Sequence, residues 1–178
     1  MTDFQDGDAV LVIDVFNDFD HEDGSALLAS FEERVAQMSA VLSAARAADV
    51  PVIYVNDERG RWESDAPALI RAALDGEGSE VVRRVLPEPG ECVLLKHRYS
   101  AFDHTALELL LASLEAERVV LVGAATEGCV VQTAIDARER DLKATIVADA
   151  CATTDAGLEE IALRYAEEVG GIRVWRAG

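Results

Sequence analysis

Cys129, Asp14 and Lys96 are the side chains whose types and settings point to chemistry. Cys129 lies in Gly123-Ala124-Ala125-Thr126-Glu127-Gly128-Cys129-Val130, after the apolar run Val119-Val120-Leu121-Val122 and before a helical pattern through Val131, Ile135 and Leu142. Thr126 in this setting predicts a helix N-cap, with Cys129 in the first turn. The positive end of the helix dipole and the free N–H groups of that turn favour a thiolate. The same N–H groups suit an oxyanion forming on an attacked carbonyl. A small buried cysteine packing a helix on a sheet gives the same local pattern. Asp14 ends a second apolar run, where partial desolvation raises a carboxyl pKa and suits it to proton transfer. Its plainer role is to cap the following loop. Lys96 follows Leu94-Leu95, and a lysine there either finds a partner or snorkels outward. A carboxylate that takes a thiol proton, with an ammonium that holds both, makes an activated nucleophile.

The elements that must bring these residues together are short β-branched runs alternating with longer amphipathic segments. Strands are predicted at 9–14, 51–55, 92–95, 119–122, 144–147 and 172–175. Helices are predicted at 31–48, 65–74, 104–114, 127–140 and 154–169, the last capped by Thr154 or Asp155. This alternation implies a single α/β domain over residues 1–178: a three-layer α/β/α arrangement with a mostly parallel six-stranded sheet and helices on both faces. Ligands of such sheets bind beyond the carboxyl ends of the strands. Asp14, Lys96 and Cys129 all fall at that edge.

Composition excludes several classes. The net charge of −18, from 34 acidic against 16 basic residues, disfavours nucleic acid and anionic membranes as partners. No apolar run reaches the ~20 residues of a membrane span, and the acidic N-terminus does not read as a signal peptide. Three cysteines without metal-type spacing suit a reducing, cytoplasmic compartment. Cys92 and Cys151 read as packing residues.

Three segments, in order, resemble the isochorismatase-like cysteine hydrolases, a family that includes nicotinamidases, N-carbamoylsarcosine amidases and ureidoacrylate amidohydrolases. They are Leu11 to Phe19, with its Asp-x-x-Asn-Asp-Phe pattern, Lys96-His97-Arg98-Tyr99-Ser100-Ala101-Phe102, and Gly123 to Val130. The resemblance implies an Asp14–Lys96–Cys129 triad and a cis peptide between Ala124 and Ala125. It also implies an oxyanion hole made by the N–H groups of Ala125 and Cys129. The implied reaction is hydrolysis of a small amide, ureido or carbamoyl compound through a thioester, by a homo-oligomer (dimer or tetramer). Two alternatives stand beside it: a vinyl-ether hydrolase of the isochorismatase type, which needs no thiol, and a non-catalytic binding protein.

The segment 55–65 lacks the histidines of the nicotinamidase metal motif, so neither a metal nor a cofactor is expected. Asp57 and Glu58 read as part of a solvated loop. Phe19, Trp62 and Phe102 are the expected pocket walls, with Trp62 also suited to a subunit interface. Phe16 and Tyr99 read as core. Arg98, Arg59 or Arg61 would suit a substrate carboxylate.

Overall fold

A computed structural model describes residues 4–58, 60, 62 and 65–176. Its strands are β1 (Asp8–Ile13), β2 (Val52–Asp57), β3 (Cys92–Lys96), β4 (Arg118–Gly123), β5 (Lys143–Cys151) and β6 (Arg173–Trp175). The helices are α1 (Gly24–Ala47), α2 (Ala66–Asp75), α3 (Ser79–Arg83), α4 (Leu107–Ser113), α5 (Val131–Glu139) and α6 (Ala156–Glu168). All strands pair in parallel, in the order β3-β2-β1-β4-β5-β6.

β1 shows why the sheet is covered twice. Every residue of Asp8–Ile13 is buried, and successive side chains go to opposite faces. Val10 and Val12 join Phe31, Met38 and Leu42 of α1 in one core. Leu11 and Ile13 join Leu107 and Leu111 of α4, Ala134 of α5 and Leu163 of α6 in the other. The strand order reverses at β1, whose neighbours are β2 and β4. The loops leaving β1 and β4 therefore diverge at the sheet's carboxyl edge and open the crevice that such a switch point provides.

Several boundaries differ from the sequence expectation, each for a local reason. α1 starts at Gly24 rather than near residue 31. Leu27 continues its buried stripe, but Ser30 sits on that face as well and blurs the apolar period. The buried Ser30 Oγ accepts from Thr153 N at 3.0 Å. β5 runs on to Cys151, past the polar Asp149 that ends the apolar reading. The short α3 was not anticipated; five residues carry too little period to be seen. Asp155 caps α6 as expected, accepting from Gly157 N and Leu158 N at 2.8 and 2.9 Å. Among the described residues no helix is long and apolar enough to cross a membrane.

Candidate active site

Asp14 follows β1 with φ of 51°, a left-handed conformation that aspartate tolerates better than most residues. Its N–H donates to Val55 O at 3.1 Å, and its Oδ1 accepts from Asp57 N at 2.6 Å. The carboxylate is thus fixed across the carboxyl end of β2. Its other oxygen, Oδ2, lies 2.8 Å from Lys96 Nζ. The Lys96 side chain is fully buried; its Nζ also donates to Arg98 O at 2.9 Å and lies 3.4 Å from Cys129 Sγ. One ammonium thereby joins the ends of β1 and β3 to the turn after β4.

That turn depends on a close backbone approach. Gly123 has φ of 123°, and a Cβ there would lie 2.0 Å from Ile13 O. With glycine, β4 ends hard against β1, and Ala124 N donates to Ile13 O at 2.8 Å. The Ala124–Ala125 peptide bond is cis. Residues Thr126–Val130 then form a single π-helical turn with Ala125, not Thr126, at its N-cap. The expected Thr126 cap is therefore corrected. The Thr126 hydroxyl faces Ala152 O and Glu159 instead, so it is engaged by tertiary partners rather than by its own helix. π turns of this kind are rare and cluster at functional sites.

The electrostatics also correct the first reading of Cys129. Burial, and then the Asp14 carboxylate, push its thiol above the ordinary range, against the lowering pull of Lys96. The helix-end effect does not dominate. Burial likewise raises Asp14 above the usual carboxylate value, opposed by Lys96 and by hydrogen bonding to Cys129. For Lys96, burial favours the neutral amine, but Asp14 and Cys129 outweigh it and hold the ammonium protonated. The three groups form one coupled unit. Losing a proton to solvent leaves the unit with a net negative charge in a buried place. Moving the thiol proton to Asp14 leaves its net charge unchanged.

Two cavities flank the triad. One of about 330 Å³ is lined by Asp57, Lys96, His97, Arg98, Tyr99 and Cys129. A second, of about 470 Å³, has Asp14, Asp57, Ala124 and Ala125 in its wall. Trp62 is 78% exposed, and its ring stacks on His97, centroids 4.1 Å apart, which places it at the rim of the Cys129 cavity. Tyr99 is exposed and lines the same cavity, so its reading as core is corrected. Phe16 is core, stacked on Tyr54.

The other two aromatic candidates sit in the cores. Phe19 is buried edge-on against Phe31, and Phe102 is buried beneath the Arg140 guanidinium. Glu58, read as solvated, is buried, with His97 Nε2 3.5 Å from its Oε2. Sequence period cannot signal that burial, because the covering His97 comes from the segment after β3. Asp57, Glu58 and His97 do not form a ligand set: among the described residues no three His, Cys, Asp or Glu side chains converge as metal ligands would. Arg98 lines the Cys129 cavity, whereas Arg59 and Arg61 lie outside the described residues.

A doubly covered parallel sheet with cysteine, lysine and aspartate meeting at its switch point defines the class of protein. Comparison with known proteins makes the class specific. The isochorismatase domain family matches residues 8–174. An uncharacterised isochorismatase family protein, YaaI of Bacillus subtilis, is 30% identical over 90% of this chain and 89% of its own length. The N-carbamoylsarcosine amidase of an Arthrobacter species is 31% identical over 72% of this chain, which spans about half of that relative (53%). The crystal structure of N-carbamoylsarcosine amidase from Thermoplasma acidophilum superposes with a TM-score of 0.72 and 31% identity, covering 95% of each chain. The chain belongs to the isochorismatase domain family, and it is a hydrolase.

Proposed function

We propose that this protein hydrolyses a small amide, ureido or carbamoyl compound through a thioester on Cys129. The observation that carries the reading is the position of Lys96 Nζ, 2.8 Å from Asp14 Oδ2 and 3.4 Å from Cys129 Sγ. An ammonium so placed steadies a negative charge on either partner, so the proton can pass between them at little electrostatic cost.

The steps follow from that arrangement. Asp14 accepts the Cys129 proton as Sγ attacks the substrate carbonyl carbon and the S–C bond forms. The N–H groups of Ala125 and Cys129 receive the oxyanion. Collapse breaks the C–N bond, and Asp14 returns the proton to the departing nitrogen. Water then attacks the thioester carbon, giving its proton to Asp14. The S–C bond breaks, the acid leaves and the thiol is restored. Trp62 and Tyr99 close the outer side of the pocket. Arg98, on the cavity wall, is the described arginine placed to meet a carboxylate on the substrate.

A cytoplasmic setting belongs to the same proposal, and the three free cysteines support it. Assembly into a homo-oligomer is supported by the exposed stripe of Leu158, Ile161 and Tyr165 along α6, continued by Val169. The test of the chemistry is Cys129→Ala. It should abolish turnover of every amide and ureide that the wild type hydrolyses while thermal unfolding stays cooperative. Full residual activity in that variant would move the reading to vinyl-ether hydrolysis, which needs no thiol.

A further inference from the structure

The turn that carries Cys129 is also held from behind by a partly buried, charged chain of residues. Thr126 opens that turn, is fully buried, and donates its N–H to Ala152 O at 2.8 Å. Its Oγ1 lies 2.9 Å from Glu159 Oε1 and 3.0 Å from Ala152 O. A hydroxyl has one proton, and Ala152 O already accepts from the Thr126 N–H. The carboxylate is the stronger acceptor, so the hydroxyl proton goes to Glu159.

Glu159 lies in the first turn of α6, 8% exposed, and Arg34 of α1 grips it with both nitrogens: Nη1 to Oε1, and Nη2 to Oε2 at 2.8 Å. Arg34 Nη1 also donates to Cys151 O at the end of β5. The path therefore runs from α1 through α6 to a residue three positions before Cys129.

A partly buried ion pair is a costly way to join two helices, since apolar residues of similar volume pack as well with less loss of hydration. What an ion pair adds is direction. Its fixed carboxylate oxygen admits one orientation of the Thr126 hydroxyl, and with it one rotation of the turn. That rotation sets Cys129 Sγ relative to Lys96 Nζ.

We propose that Glu159 and Arg34 are positioning residues for the nucleophile, acting through Thr126. The proposal rests on the reading of Cys129 as the nucleophile. Arg34 itself is a poor test, because its removal strands a buried carboxylate. The near-isosteric changes Glu159→Gln and Thr126→Val are the informative ones. The measurements are kcat and KM on the amide or ureide that the wild type hydrolyses fastest, the rate of Cys129 alkylation by iodoacetamide, and Tm.

Each single variant should lower kcat by about 10- to 100-fold with KM within about twofold, the expected cost of a misplaced nucleophile. Alkylation of Cys129 should change in rate, because the thiol no longer meets Lys96 in the same geometry. The double variant should be no slower than the slower single, since both act along one path. Thr126→Ser, which keeps the hydroxyl, should recover most of kcat.

A folded Thr126→Val protein with wild-type kcat overturns the proposal. So does a Thr126→Ser protein as slow as the valine, or a double variant whose losses multiply. The two levels separate cleanly. If Cys129→Ala is inert but Thr126→Val is fully active, only the positioning role falls. If Cys129→Ala remains active, the nucleophile assignment falls and the positioning role falls with it.

Discussion

Removing the charge of Lys96 and removing the charge of Asp14 should move the reactivity of Cys129 in opposite directions, although under the proposed mechanism both changes should stop hydrolysis. In the wild type, burial and Asp14 hold the thiol up and Lys96 pulls it down. Lys96 Nζ lies 3.4 Å from Sγ, and unit charges at that separation interact by about 5 kcal/mol at an effective dielectric constant near 20. This equals about 3.6 pK units. Solvent in the adjoining cavity screens part of it, which leaves a working value of about two to three units.

Lys96→Met should therefore raise the thiol further and slow alkylation by iodoacetamide near neutral pH by about 10²- to 10³-fold. Asp14→Asn removes the opposing anion while the ammonium stays. Its thiol should titrate lower than in the wild type, and alkylation near neutral pH should be at least as fast, with turnover lost as the proposed role of Asp14 as base requires. The assay is the rate of Cys129 labelling from pH 6 to 10, read by peptide mass spectrometry, with half-buried Cys92 as the internal reference. Lys96→Met labelling as fast as wild type, or both variants shifting in the same direction, would refute the electrostatic account of the triad.

Two further outcomes follow from the geometry. Trp62→Ala should leave Tm unchanged, because the ring is largely exposed. It should raise KM by about three- to tenfold, the worth of one aromatic contact; an unchanged KM would remove Trp62 from the pocket. Glu127 lies in the turn that carries Cys129 and accepts from Thr153 Oγ1 at 2.7 Å and from Thr154 N at 2.9 Å. Burial acts to raise its carboxyl, but the hydrogen bonds from Thr154 and Thr153 prevail and hold it below the ordinary glutamate value of 4.5. A depressed carboxyl stabilises the fold above that value and loses its contribution as pH falls through the lower, folded value. Glu127→Gln should thus lower Tm at pH 7, and the gap from wild type should narrow below about pH 4.5; a gap that widens in acid would contradict the assignment.

Legibility in the sequence followed the reach of the signal. The alternation of apolar strands and amphipathic helices needs only neighbours along the chain, and all six strands could be read from it. Asp14, Lys96 and Cys129 were legible because each terminates or follows an apolar strand, and strand ends in a parallel sheet share one edge. Where a residue's fate depended on a distant segment, local reading failed. Glu58 is buried by a segment that follows β3, Tyr99 stays exposed although it sits among apolar residues, and Phe19 turns into the core against α1.

The amino-acid sequence by itself determined the class of fold and the placement of Asp14, Lys96 and Cys129 at strand ends, in that order along the chain. These depend on side-chain period and strand termini, which are local. Only the tertiary structure decided that Thr126 faces Glu159 rather than capping a helix, and that Cys129 is held as a thiol rather than a thiolate. The reason is the same for both. A hydroxyl's partner and a thiol's pKa depend on which charges arrive from other elements and how much water is left, and both are fixed only when the chain has packed.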